Sequence, residues 1–199
     1  MQVVVRWCES WLENRARNVH SQFGEDGLVE AVLERIGETN RYCFEVGAGD
    51  GRTLSNTMRM RDAGWRALLV EQDAAQFEIM EPYRSSAVHC VHAAIGADCT
   101  IDSLLAAYDA PEDLDFASID IDGQDYWVWH AMERFKPRVV LIEYSYGTDA
   151  HFIPERGTAV GKRGGEQATE KAIVELGESK GYKFVARTLC NCLFVRGDL

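Results

Sequence analysis

Three glycines at every second position form the segment of this 199-residue chain whose spacing is most suggestive of chemistry. They are Gly47, Gly49 and Gly51, and they directly follow the apolar run Tyr42 to Val46. Glycine lets the backbone turn sharply and lets a ligand approach it closely, while the free N–H groups of a helix start favour a negative or polar ligand group. Because we expect a helix to begin near Thr53, the segment has the order strand, glycine loop, helix that is typical of a ligand-binding loop.

An acidic residue ends the next predicted strand, about 20 residues beyond the glycine loop. This strand covers Ala67 to Glu71, and Gln72 follows it. A carboxylate at this point of an α/β sheet can accept hydrogen bonds from both hydroxyls of a ribose. The combination predicts a site for a nucleoside-containing cofactor, and a tight turn without a ligand is the alternative.

The spacing of the glycines distinguishes between such cofactors. A dinucleotide site requires Gly-x-Gly-x-x-Gly, which would place the third glycine at position 52. Arg52 occupies that position, and the third glycine is Gly51. The pattern Glu45-x-Gly47-x-Gly49-x-Gly51 instead resembles motif I of class I S-adenosylmethionine-dependent methyltransferases. A nucleotide-cofactor oxidoreductase is the alternative enzyme class.

The resemblance extends beyond this loop, to the FkbM-related methyltransferases. Four blocks match in order over positions 21 to 144: Ser21-Gln22-Phe23-Gly24-Glu25-Asp26, Glu45 to Gly51 with Ser55-Asn56-Thr57, Ser118 to Tyr126, and Ile142-Glu143-Tyr144. The closing segment, Asn191 to Leu199, is similar to the last strand of that family. The resemblance implies a Rossmann-like α/β fold, with a seven-stranded and mostly parallel sheet, an antiparallel last strand and helices on both faces.

Carried over position by position, the resemblance also implies contacts with the cofactor. The glycines would lie under its methionine part, Glu71 on its ribose and Gln72 on its adenine side. Helix-start chemistry is an equal explanation for Gln22, and packing is an equal explanation for Ala94. The full set implied for S-adenosylmethionine is Gln22, Glu45, Gly47, Ala48, Gly49, Gly51, Glu71, Gln72, Ala94 and Asp120.

Methyl transfer needs the acceptor in line with the S–CH3 bond, so positioning and desolvation can supply much of the rate. A base helps when the acceptor is a hydroxyl. We expect Asp120 near the sulfonium and consider Asp122, His151 and Tyr144 as candidate bases. The family resemblance implies O-methylation of a small molecule, such as a natural product or a sugar. A non-catalytic module that only binds S-adenosylmethionine is a further alternative.

A metal ion is a separate option at the same place. Asp120, Asp122 and Glu143 are hard oxygen ligands at neighbouring strand ends, and Mg²⁺ can lower the pKa of an acceptor hydroxyl. The adjacent acid pair that such enzymes show after the fifth strand is absent here, where the chain reads Glu143-Tyr144-Ser145. We therefore favour a site without a metal.

Short apolar runs alternate with amphipathic stretches along the chain, which is the pattern of a doubly wound α/β sheet. Apolar residues at three- and four-residue spacing predict helices from Gly27 to Ile36 and from Glu166 to Lys180. We expect one domain over 1–199, with an N-terminal helical segment over 1–40 and an acceptor-side loop over 145–165. The seven predicted strands are Tyr42 to Val46, Ala67 to Glu71, Val88 to His92, Phe116 to Ile121, Val139 to Tyr144, Lys183 to Arg187 and Leu193 to Val195.

Charge and composition narrow the range of partners. The formal net charge of -11 disfavours nucleic acid, because such binders gain affinity by neutralising phosphates. Apolar runs fall short of the roughly 20 residues that span a bilayer, so we expect neither a membrane anchor nor a signal peptide. Several of the six cysteines lie in apolar strand-like runs, which favours reduced thiols and a cytoplasmic protein. Oligomeric state leaves no pattern in the sequence.

Overall fold

A sheet of eight strands forms the centre of the computed structural model, which describes residues 6–7, 9–96, 99–147, 150–157 and 167–199. The strand order across the sheet is β1-β7-β8-β6-β5-β2-β3-β4. The strands are β1 (Arg6–Trp7), β2 (Tyr42–Val46), β3 (Arg66–Glu71), β4 (Val88–His92), β5 (Phe116–Ile119), β6 (Val139–Glu143), β7 (Tyr182–Arg187) and β8 (Asn191–Arg196).

Strand directions confirm the predicted sheet. Strands β2 to β6 are paired in parallel, whereas β8 runs antiparallel to both of its neighbours, β6 and β7. All seven predicted strands are present, with their ends shifted by two residues at most. The additional strand β1 pairs antiparallel with β7 at the edge of the sheet. It was not predicted, because two residues are too few to show a periodicity.

Helices cover both faces of the sheet, as the sequence predicts. Buried residues of α1, α2 and α3 pack on one face in a cluster that includes Leu69 and Leu141, and those of α4, α5 and α6 pack on the other face with Val70 and Ile142. Successive strand residues point to opposite faces, so strands buried on both sides read as continuous apolar runs. The helices are α1 (Glu25–Ile36), α2 (Met58–Asp62), α3 (Ala74–Met80), α4 (Ile101–Ala107), α5 (Asp125–His130) and α6 (Glu170–Ser179).

Two helix predictions need correction. The helix expected near Thr53 was wrong, because the chain runs through turns until α2 begins at Met58. The predicted helix from position 166 begins at Glu170, and position 166 itself lies outside the described residues. Within the N-terminal segment, the described residues form β1, a short 3-10 turn at Ser10–Leu12 and α1, which begins at Glu25.

The described part of the chain bears on two expectations, that no helix anchors the protein in a membrane and that the cysteines are reduced. None of the helices described there is long and apolar enough to cross a membrane. The five cysteines described there are free thiols, and Cys43, Cys90 and Cys192 are buried. Burial raises the pKa of the Cys43 thiol, which therefore behaves as a small core residue. Cys8 lies outside the described residues.

A buried ion pair joins the starts of three neighbouring strands, at the edge of the sheet where β2, β5 and β6 begin. Asp115 is fully buried, and its carboxylate accepts hydrogen bonds from the backbone N–H groups of Thr39, Asn40 and Arg41. Arg138 Nη1 donates to Asp115 Oδ1 over 2.8 Å. Burial alone would raise the pKa of Asp115, but the hydrogen bonds from Arg138, Thr39 and Arg41 outweigh it and lower that pKa.

Asp115→Asn is expected to lower the free energy of unfolding by about 3 kcal/mol at pH 7, because it leaves the buried Arg138 guanidinium without its counter-charge. A depressed pKa in the folded state means that the ionised carboxylate stabilises the fold above the unfolded-state pKa of about 3.9. The difference between wild type and variant should therefore shrink as the pH falls below that value. Urea denaturation at pH 7 and pH 3 measures it, with the exposed neighbour Asp113→Asn as control. An equal loss at both pH values would contradict the assignment.

Candidate functional site

An open cleft of about 760 Å³ lies at the carboxyl ends of the parallel strands. This volume is within the range of small-molecule and cofactor sites, and this edge of an open α/β sheet is where ligands bind. The walls come from the segments that leave β2, β3, β4 and β5, together with the turns before α2. The residues that line the cleft include Glu45 to Gly49, Thr53 to Asn56, Val70 to Asp73, Ala93, Ile95, Asp120 to Asp122 and Gln124.

The glycine loop forms the floor of this cleft by passing very close to the end of β5. Gly47 has φ +76°, and a Cβ added there would lie 1.6 Å from the backbone oxygen of Asp120. Gly49 has φ +55°, with no atom of the described chain within 4 Å of its added Cβ, so this position opens into the cleft. A Cβ at Gly51 would meet Met80 Cγ at 2.8 Å. Gly51 therefore packs directly against α3, where a larger residue would not fit.

Glu71 is held against the glycine loop. Gly49 N donates to Glu71 Oε2 and Asp73 N donates to Glu71 Oε1, both over 2.7 Å. Since an ionised carboxylate offers about four lone-pair sites, it can accept ligand hydroxyls in addition to these two bonds. The adjacent Gln72 and Asp73 also line the cleft.

Glu45 fixes the turns that follow the glycine loop. Its buried carboxylate accepts from Ser55 Oγ at 2.7 Å, Thr57 Oγ1 at 2.5 Å and Asn56 N at 2.8 Å. Asn56 Nδ2 continues the network to Ser118 Oγ on β5, at 3.0 Å. Glu45 is thus the reason that Ser55 to Thr57 lie across the sheet edge instead of beginning a helix.

Three carboxylates converge on the side of the cleft that faces β6. Oxygen atoms of Asp120, Asp122 and Glu143 all lie within 4.8 Å of one another. Burial, followed by the negative charges of Asp125 and Asp122, raises the pKa of Asp120 to about 7, although a hydrogen bond with Glu143 acts in the opposite direction. Burial and the charge of Asp120 raise the pKa of Glu143 to about 10. The two carboxyl groups therefore hold a proton between them at a higher pH than isolated carboxyl groups would.

The turn that presents Asp122 is shaped by Asp125, the first residue of α5. The Asp125 carboxylate accepts from Ile121 N and Gly123 N, both at 2.8 Å. Asp122 has φ +56°, a left-handed conformation that is uncommon for residues other than glycine and recurs at functional sites. These bonds place the exposed Asp122 side chain at the rim of the cleft.

Several predicted site residues lie outside the lining of the cleft. Gln22 is exposed, and Ala94 is exposed between Ala93 and Ile95, which do line the cleft. His151 Nε2 lies 3.1 Å from Glu175 Oε2 on α6. The Tyr144 hydroxyl is buried and donates to Thr188 O over 3.0 Å. The geometry therefore brings Glu45, Gly47, Ala48, Gly49, Glu71, Gln72, Asp120 and Asp122 to the cleft wall, and leaves these four residues and Gly51 outside it.

Gln124 is a cleft residue that we did not single out from the sequence. Its side chain connects the cleft to the predicted acceptor-side loop: Oε1 accepts from Gly157 N at 2.8 Å, and Nε2 donates to Glu155 O at 3.2 Å. Trp127 Nε1 donates to Pro154 O of the same loop over 2.7 Å. A glutamine just before a helix has no characteristic pattern of its own. The sequence indicated Gln124 only as a member of the Ser118 to Tyr126 block. Positions 148–149 and 158–165 of that loop lie outside the described residues.

Comparison with known proteins identifies the fold. No protein-family model matches the chain, and no curated protein matches it either. Among solved structures, it is similar to magnesium protoporphyrin IX methyltransferase (ChlM) from Synechocystis PCC 6803 with bound SAH, with a TM-score of 0.52 and 11% identity over 86% of this chain and 81% of that chain.

It is also similar to the N-terminal domain of EvdMO1 with SAH bound, with a TM-score of 0.53 and 13% identity over 88% of this chain and 82% of that one. A third similar structure is geranyl diphosphate C-methyltransferase from Streptomyces coelicolor A3(2), with a TM-score of 0.51 and 12% identity over 87% and 79% of the two chains. The chain therefore has the Rossmann-like fold of S-adenosylmethionine-dependent methyltransferases, as the sequence predicted.

Alanine substitutions at Gly47 and Gly49 should show which of the two glycines is required for packing against β5. Gly47→Ala forces a methyl group onto the Asp120 carbonyl, so we expect it to cost on the order of 4 kcal/mol of unfolding free energy. Gly49→Ala meets no neighbour and should cost only the left-handed strain, about 1 kcal/mol. Chemical denaturation of both variants measures the difference. Equal losses would contradict the close approach of Gly47 to β5.

Proposed function

We propose that this protein is an S-adenosylmethionine-dependent methyltransferase that transfers a methyl group to a hydroxyl of a small molecule. The observation that carries the proposal is that the glycine loop, Glu71 and Asp120 line one cleft, in a chain with the fold of these enzymes. The resemblance of four sequence blocks to the FkbM-related family supports the same class. That family is also the source of the expected acceptors, natural products and sugars.

The cleft offers groups that would bind the ribose, the methionine part and the sulfonium of this cofactor. Glu71 would accept the ribose hydroxyls, because its carboxylate lies at the end of β3 and is aligned by Gly49 N and Asp73 N. The Gly47 to Gly49 backbone would lie beneath the methionine part, which can approach closely because Gly47 and Gly49 have no side chains. The acids Glu45 and Asp120 give this wall a negative potential, which stabilises the positive sulfonium.

Asp120 is the group that would accept the proton of the acceptor hydroxyl. Bound S-adenosylmethionine would supply the methyl group and leave as S-adenosylhomocysteine, and the Asp120 carboxylate would take up the proton that the hydroxyl loses. A general base works best when its pKa is near the working pH, and Asp120 meets this condition with a pKa of about 7. Glu143, which accepts from Gln167 Nε2 at 2.5 Å and is hydrogen-bonded to Asp120, would orient the Asp120 carboxyl group.

A Mg²⁺-assisted reaction is the second candidate, since the convergence of Asp120, Asp122 and Glu143 supplies three oxygen ligands. We favour the metal-free reaction, because Glu143 is already bonded to Gln167 and to Asp120. Product formation after dialysis against EDTA distinguishes the two. Full activity supports the metal-free reaction, and activity that returns only with added Mg²⁺ assigns the metal.

Calorimetric titration tests the cofactor. We expect micromolar binding of S-adenosylhomocysteine and no binding of NAD, which would exclude the oxidoreductase. Glu71→Gln should weaken the binding of S-adenosylhomocysteine about tenfold, because a neutral amide replaces the charged acceptor of the ribose hydroxyls. Glu78→Gln, an exposed change on α3, is the matched control. Absence of heat with S-adenosylhomocysteine would refute the proposal.

The role of Asp120 is tested by turnover, after labelled S-adenosylmethionine and a cell extract have identified a product that gains one CH2. Asp120→Asn should lower kcat by about 100-fold or more, because an amide cannot accept the proton, while it retains the binding of S-adenosylhomocysteine, which has no sulfonium charge. In the wild type, kcat should rise with pH through about 7, as Asp120 loses its proton.

Asp122→Asn provides a check on this titration. The negative charge of Asp122 raises the pKa of Asp120, so its removal should move the rise in kcat to lower pH. Full activity of Asp120→Asn, or a rise in kcat that Asp122→Asn leaves in place, would contradict Asp120 as the base. Cofactor binding with no product from any extract fraction would favour the non-catalytic binding module.

A further inference from the structure

Leu54 lies in a backbone conformation that is unfavourable for its side chain. Its φ is +59°, in the left-handed region that glycine, asparagine and aspartate adopt most readily. Five described residues other than glycine have a positive φ, and Leu54 is the apolar one among them. Strain of this kind persists only where the surrounding structure imposes it, and it recurs at ligand sites.

The residues on both sides of Leu54 impose this conformation. Before it, the backbone N–H and the hydroxyl of Thr53 both donate to the Asp50 carboxylate over 2.6 Å. After it, Ser55 Oγ donates to the buried Glu45 carboxylate over 2.7 Å. These bonds use no atom of Leu54 itself. Its backbone is therefore fixed independently of its side chain, which another residue type could replace.

The fixed backbone leaves an apolar side chain exposed in the cleft. Leu54 is 51% exposed. Of the six large apolar side chains that are exposed in the described part of the chain, Leu54 is the one that lines the cleft. Covering apolar surface is favourable, so a ligand that lies against Leu54 would gain free energy from this contact.

The sheet topology indicates which part of a ligand Leu54 would cover. The turn that follows Leu54 is bonded to β2 through Glu45 and to β5 through Ser118. This turn therefore lies over β2 and β5, whereas Glu71 ends β3, on the other side of β2. With the ribose at Glu71, as the proposed function has it, Leu54 lies on the side of the methionine part.

We propose that Leu54 is a ligand-contacting residue, which covers the methylene groups of the methionine part of S-adenosylmethionine. The proposal rests on the proposed function, because the identity of the ligand comes from it. An apolar cover would also exclude water from this end of the cleft. The attraction of Glu45 and Asp120 for the sulfonium charge would then be stronger, because the local dielectric is lower.

Calorimetry with two ligands tests this contact. Leu54→Asn keeps a residue that tolerates the left-handed conformation but removes the apolar surface. We expect it to weaken the binding of S-adenosylhomocysteine about tenfold, which is the size of effect that burial of such a side chain supplies. Binding of 5′-methylthioadenosine, which lacks the amino-acid part, should be unchanged. Leu54→Met should retain the affinity for S-adenosylhomocysteine, because it keeps an apolar side chain of similar volume.

Urea denaturation separates a ligand contact from a role in packing. Because asparagine adopts a positive φ at lower cost than leucine, the midpoint for Leu54→Asn should be at least as high as that of the wild type. A residue that packs the fold would lower it instead. Asp109→Asn is the matched control, since Asp109 is exposed, has φ +50° and is not part of the cleft lining. It should leave the affinity for both ligands unchanged.

Three outcomes would overturn the role of Leu54. They are an unchanged affinity of Leu54→Asn for S-adenosylhomocysteine, an equal loss of affinity for both ligands, and a urea midpoint below that of the wild type. Failure of the wild type to bind S-adenosylhomocysteine is a different result, because it refutes the proposed function itself. Wild-type binding that Leu54→Asn leaves unchanged refutes only the contact proposed for Leu54.

Discussion

The hydrogen bonds of the Glu45 carboxylate are the constraint on which the architecture of the site depends. A buried carboxylate at the end of a central strand must be satisfied, and Glu45 achieves this by drawing Ser55, Asn56 and Thr57 over the edge of the sheet. The chain therefore turns back immediately after the glycine loop, and α2 begins only at Met58. Because the backbone N–H of Asn56 donates to Glu45 and its side chain donates to Ser118, Asn56 is fixed in the lining of the cleft.

Asp115 and Asp120, on either side of β5, show how neighbouring hydrogen-bond donors and charges determine the pKa of a carboxyl group. Asp115, just before the strand, receives backbone N–H groups and the Arg138 guanidinium, so its pKa is lowered and its charge holds the fold together. Asp120, just after the same strand, faces Asp122, Asp125 and Glu143 instead, and its pKa is raised. Only four residues of chain thus separate an acid whose pKa is lowered from one whose pKa is raised to about 7.

The strands and the helix faces could be predicted from the sequence because burial on both sides of a parallel sheet leaves a direct signal, the continuous apolar run. Gly47 and Glu71 were also predictable, since close backbone approach and a strand-end acid have characteristic residue types. The start of α2 was not, because it depends on a hydrogen bond from Thr57 to Glu45, 12 residues apart. His151 was a reasonable candidate by type, but its partner Glu175 lies on a distant helix that no local pattern connects to it.

The same limit explains why the placement of the loop over 145–165 was the least predictable part. Its position depends on side-chain bonds that join distant segments: Gln124 holds Glu155 and Gly157, and Trp127 holds Pro154. Gln124 also lines the cleft, so the described part of the loop is anchored by a residue that a bound ligand can touch. A ligand that shifts the Gln124 amide must therefore break or rebuild two bonds to the loop. Gln124 is therefore a direct physical link between the lining of the cleft and the described part of the loop over 145–165.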